Sequence, residues 1–135
     1  MPTIRLVRQL SFSAAHRYFA PDLSEAENRA IYGSLYRDEG FGHNFLVEAH
    51  FEGDVDPLTG MIVNLVDVDR WLGEVNREVD HKNLGKLSWF AGVAPTPERI
   101  ALYFASEISR RLPRHVRLAK VRIYEGEDLW IDVSP

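Results

Sequence analysis

No cysteine occurs among the 135 residues. That absence excludes disulfides, a thiolate nucleophile, iron–sulfur ligation and every zinc site that needs sulfur. An excess of positive charge is missing too: 16 basic against 20 acidic side chains leave a formal net charge of −4, whereas a nucleic-acid-binding domain is expected to be basic. No nucleic-acid partner is therefore expected. Long apolar runs are also lacking, and the stretches present are far too short to span a bilayer. The first ten residues carry Arg5 and Arg8 inside an alternating pattern and hold no apolar signal-peptide core, so the expectation is a cytoplasmic protein with no membrane contact. Hydrophobic and charged fractions of 45% and 27% are those of a globular chain, and the length suits a single domain over 1–135. What is left for chemistry is five histidines and the carboxylates. Any metal must be held by imidazole and carboxylate.

Periodicity then locates the elements. From Ile4 to His16 the even positions are nearly all apolar and end on His16, which predicts a long half-buried strand. Ser24 followed by Glu27 is a capping-box pattern for a short helix that Gly33 breaks. From His43 to Phe51 the odd positions form the apolar face of a second strand, opened by His43. The turn-rich segment 53–60 is expected to lead into a short strand, Met61 to Leu65, as a hairpin. Val68, Trp71, Leu72, Val75 and Val79 recur at helical spacing in a helix ending near Asp80. An irregular loop, 81–95, precedes Thr96-Pro97-Glu98, which has the form of an N-cap, a proline at the first helical position and a first-turn acid. Pro113 stops that helix, and two alternating runs around Gly126 predict a terminal hairpin. The sum is an α+β domain: an antiparallel four-stranded sheet with two helices packed on one face. The other face would be partly apolar and exposed in a monomer, which implies self-association.

His16 and His43 form the most informative pair, because each lies on the apolar parity of a different strand, where an imidazole must find a partner. Neutral imidazole ligates zinc; the plain alternative is a core histidine bonded to a carbonyl. His50 has the opposite parity from His43 and cannot share its metal on an unbulged strand. Asp80-His81 offers an acid/base pair, or else a histidine at the negative end of a helix. Glu125 shares the apolar parity of Ala119, Val121 and Ile123 and would suit a ring with adjacent N–H donors, unless it has already left the sheet at the turn. The basic run Arg110, Arg111, Arg114, Arg117, Lys120 and Arg122 could receive an anionic tail or could simply be a solvated face.

In order, Phe12-Ser-Ala-Ala-His16, Gly42-His43-Asn44-Phe45, Asp56-Pro-Leu-Thr-Gly-Met61, Leu65 to Asp69, Asp80-His-Lys-Asn-Leu84, Thr96-Pro-Glu98 and Tyr124-Glu125 resemble the 6-pyruvoyltetrahydropterin synthase family, which includes the bacterial 6-carboxytetrahydropterin synthases. The resemblance implies the tunnelling fold, a homo-hexamer built as a dimer of trimers, a small-molecule pterin substrate and a zinc ion held by three histidines. It implies His16 and His43 as zinc ligands, Asp80 and His81 as the proton relay, and Thr96, Glu98 and Glu125 as pterin-pocket residues. Phe41 stands where the family has its middle zinc histidine, and Leu35 or Arg37 where it has its catalytic cysteine. Asp38 stands three residues before Phe41, as the glutamate base of one subgroup stands before its histidines, and Asp38 or Glu39 could complete a set of two histidines and one carboxylate. The function so implied is a pterin-processing lyase acting on 7,8-dihydroneopterin triphosphate or a related pterin. A non-catalytic binder of a pterin or purine-like ring is the alternative.

Overall fold

The computed structural model of the chain describes residues 2–37 and 40–135. The expected strands are present as β1 (Arg5–His16) and β2 (Phe41–Gly53), paired antiparallel over the whole length of β1 with His16 opposite Phe41 and Ala14 opposite His43. The capping box holds: Ser24 Oγ accepts from Glu27 N–H, and Glu27 accepts from Ser24 N–H, opening α1 (Glu25–Tyr32). The terminal hairpin is β4 (Val116–Gly126) and β5 (Leu129–Val133).

Several expectations need correction. The sheet has five strands among the described residues, in the order β3-β1-β2-β4-β5, because Lys82–Asn83 (β3) pairs in parallel with Ala14 and Ala15 of β1. The sheet is thus mixed rather than purely antiparallel. Among the described residues there are three α-helices, the short α1 besides the two, α2 (Leu65–Arg77) and α3 (Pro97–Ser109), that carry the buried apolar faces. Met61 to Leu65 is no strand. Asn64 caps α2 by accepting from Val66 N–H, so the helix claims Leu65, while Ile62 and Val63 are buried in irregular backbone. A short apolar run can serve a strand or a helix entry equally well, and the cap decided it.

Pairing of β2 with β4 shifts between His50 and Phe51, leaving Ala119 as an extra residue on β4. This bulge flips parity, so Val116 and Leu118 on one side of it and Val121 and Ile123 on the other all face the core. The core lies between the sheet and α2–α3, built on Phe12, Phe45, Phe51, Trp71, Ile100, Phe104, Ile108 and Ile123. The buried Tyr103 hydroxyl donates to Val75 O at 2.8 Å and ties the two helices together.

The other sheet face is more polar than expected. Glu52 accepts from Arg5 and Arg117, Glu48 accepts from Gln9 and Tyr124 and pairs with His50, and Asp132 pairs with Arg122 and Lys120. Desolvation acts to raise the Glu48 carboxyl, but its bonds from His50, Gln9 and Tyr124 win and hold it below the usual range. Much of the basic run is therefore spent on ion pairs: Arg110 and Arg111 also pair, with Glu107 and Glu74.

Candidate metal centre

β1, β2 and β4 bring three donors to one end of the sheet, on the side that faces the helices. His16 ends β1, fully buried, with Nδ1 2.8 Å from Pro95 O. That contact suits a protonated Nδ1 donating to the carbonyl, which leaves the Nε2 lone pair for the centre. Burial pulls the His16 imidazole below its ordinary range, more than the Pro95 carbonyl and the Glu125 charge raise it. A neutral ring is the form that ligates a metal. His43 reaches diagonally across the β1–β2 ladder, its Nδ1 2.9 Å from His16 Nε2. Glu125 lies at the register shift where β4 leaves β5, on the parity of Ile123, with Oε1 3.3 Å from His43 Nε2 and 3.7 Å from His16 Nε2. One donor atom from each of the three residues lies within 4.8 Å of the others.

Both histidines thus meet as expected, and Glu125 has joined them. Its parity pointed onto the apolar face, but only the adjacency of β2 and β4 tells which neighbours it finds there. Phe41, directly opposite His16, lies 6.0 Å from the His43 ring with the Arg37 guanidinium 5.0 Å above it. The position of the family's middle histidine has become part of a cation–π stack. Asp38 and Glu39 lie outside the described residues.

Tyr18 was not singled out from the sequence, since it falls two residues beyond His16, past the alternating run. Its hydroxyl donates to Glu125 Oε2 at 3.0 Å, and its ring lies 5.3 Å from that of His16. Burial and the negative charges of Glu125 and Glu98 push the phenol well above its ordinary range, so it remains a hydroxyl donor. Gly40, at φ +71°, brings the loop before β2 against His16: a Cβ there would meet His16 O at 2.7 Å.

The Asp80-His81 pair is held apart from the three donors but shares a groove with one of them. Asp80 Oδ1 accepts from Ser13 N–H at 2.9 Å and lies 3.0 Å from His81 Nδ1; His81 takes φ +59° and its N–H donates to Ser13 O. The Ser13 amide first, and His81 second, hold the Asp80 carboxyl below the usual range. The His81 side chain is 80% exposed and lines, with His43, Asn44 and Asn83, a groove of about 440 Å³ over β1, β2 and β3. Thr96 caps α3, its Oγ1 accepting from Arg99 N–H at 3.4 Å. Glu98 is exposed in the first turn of that helix, within electrostatic reach of Tyr18.

A family profile described as 6-pyruvoyl tetrahydropterin synthase matches residues 5–135. The chain belongs to that family. It is 38% identical to the human 6-pyruvoyl tetrahydrobiopterin synthase over 123 residues, 90% of this chain and 84% of that one. The solved 6-pyruvoyl tetrahydropterin synthase of Caenorhabditis elegans superposes with a TM-score of 0.93 at 32% identity, covering 100% of this chain and 97% of the other. A dihydroneopterin monophosphate aldolase of Pyrococcus furiosus is 29% identical over 130 residues, 96% of each chain. The synthase family resemblance implies three zinc histidines; two imidazoles and a carboxylate fit the same need, three protein donors of types that zinc accepts.

Proposed function

We propose that the chain is a pterin-processing lyase that cleaves the side chain of 7,8-dihydroneopterin triphosphate or a closely related pterin, with zinc at His16, His43 and Glu125. The observation that carries this is the convergence of those three donors, one of which, His43, also lines the groove that His81 lines. The relatives named as a tetrahydrobiopterin synthase and as a dihydroneopterin monophosphate aldolase support the substrate class. A divalent cation there would supply a Lewis acid that polarises a hydroxyl or carbonyl oxygen of the pterin side chain.

The chain's own groups do the rest. Asp80, fixed by the Ser13 amide, orients His81 through Nδ1 and leaves Nε2 of this groove-lining residue to take and return a proton. Glu98 is within electrostatic reach of Tyr18, and with Glu125 turned to the histidines its carboxylate, with Thr96 two residues before it, is the acceptor we assign to the N–H and NH2 donors of a pterin ring. Asp38 is proposed as an additional base in the place of the absent cysteine. Assembly as a homo-hexamer belongs to the same proposal, since β5 is an edge strand and most of β1 extends beyond its short pairing with β3.

Incubation with 7,8-dihydroneopterin triphosphate, with and without added Zn²⁺, followed by chromatography of the products, tests this. A side-chain-cleaved pterin that disappears in His81→Ala and Glu125→Ala is expected. No turnover under either condition overturns the lyase, and pterin binding without turnover would favour the ring-binding alternative.

A further inference from the structure

We infer that Tyr18 is a positioning residue for the metal centre, holding Glu125 so that one carboxylate oxygen alone faces the two imidazoles. This rests on the assignment of His16, His43 and Glu125 as metal donors. Tyr18 donates to Glu125 Oε2 at 3.0 Å and stands farther, at 3.4 Å, from Oε1. Oε1 is the oxygen that approaches both imidazoles, His43 Nε2 at 3.3 Å and His16 Nε2 at 3.7 Å. The two oxygens thus have separate partners. Glu125 is only 11% exposed, so little water is available to replace a lost donor on Oε2. The phenol itself is held between the His16 ring and the Tyr32 ring, at 5.3 and 6.0 Å, so its direction is set by packing. Outer-shell donors of this kind orient a ligand, and their loss typically weakens metal binding ~10–100-fold.

The test is Co²⁺ affinity by chelator competition, with the visible d–d spectrum of the bound ion, in wild type, Tyr18→Phe, Glu125→Ala, Glu125→Gln and the double variant Tyr18→Phe/Glu125→Gln. Tyr18→Phe keeps both ring contacts and removes only the hydroxyl, and an unchanged far-ultraviolet dichroism and melting curve checks that the fold is kept. Tyr18→Phe is expected to bind Co²⁺ ~10–100-fold more weakly with an altered d–d spectrum, and to cause no further loss when Glu125 is already Gln. Unchanged affinity and spectrum in Tyr18→Phe, with Glu125→Ala impaired, overturns the role of Tyr18 alone. An equal loss from Tyr18→Phe in both backgrounds also overturns it, because the hydroxyl would not be acting through Glu125. Unchanged affinity in Glu125→Ala overturns the donor assignment itself.

Discussion

Asn28 is the one buried residue of α1 and is fully shielded from solvent. Its Oδ1 accepts from Ala20 N–H at 2.8 Å, and its Nδ2 points at three carbonyls, those of Ala20, Leu23 and Ser24, at 3.1–3.2 Å. Two amide hydrogens cannot fully serve three acceptors, so the side chain is equivalent to about three hydrogen bonds, worth ~1 kcal/mol each. It clamps the loop 17–24, which carries Tyr18, onto α1. Asn28→Ala should therefore cost ~3 kcal/mol, since no solvent reaches the site to replace the lost partners. For a domain of this size that is a drop in melting temperature of roughly 10 °C. Urea unfolding followed by circular dichroism measures it directly. Asn28→Asp should lose a similar amount, because it keeps the acceptor for Ala20 N–H but turns an oxygen toward the three carbonyls. A loss below ~1 kcal/mol in Asn28→Ala would refute the reasoning, as it would mean that the loop's polar groups find other partners.

Three further outcomes are expected. Phe45→Ala removes a fully buried ring that stacks on Phe12 at 4.8 Å and lies 5.5 Å from both His16 and His43; it should cost ~3–5 kcal/mol in urea unfolding and also weaken Zn²⁺ binding, and a stable variant with unchanged affinity would contradict the packing account. Phe41→His puts an imidazole directly opposite His16 and should tighten Zn²⁺ binding in a competition titration; unchanged or weaker binding would mean that the position does not face the centre. The Asp80 carboxyl is depressed in the folded chain, so its stabilising contribution is complete above the ordinary aspartate value of about 3.9 and is lost as pH falls through the lower folded value. The difference in urea midpoint between wild type and Asp80→Asn should be constant above about pH 5 and shrink in more acid solution; a pH-independent difference would rule out the ionised contact with Ser13 N–H.

Much of the fold was legible because it rests on local signals. The alternation of β1 and β2, the Ser24–Glu27 box and the Thr96-Pro97 cap each specify their element from neighbouring residues, and each is present. The failures lie where a distant partner decides. Lys82–Asn83 is a strand only because the turn at Asp80-His81 docks on Ser13 and lays those two residues along β1. The bulge at Ala119 depends on the pairing partner of β4, not on its own composition. In the candidate centre, parity alone marked His16, His43 and Glu125 as unusual, yet the strand order was needed to show that the carboxylate completes the pair of imidazoles. Tyr18 lies just past the alternating run and left no trace in the pattern.

The central claim is that a carboxylate replaces the missing histidine as the third metal donor. Equilibrium dialysis against Zn²⁺, comparing wild type with Glu125→Ala, tests it most directly. One zinc per chain in wild type, and a marked loss of affinity in Glu125→Ala, is the predicted result. Stoichiometric zinc held as tightly in Glu125→Ala, or no zinc bound by the wild-type chain, would contradict it.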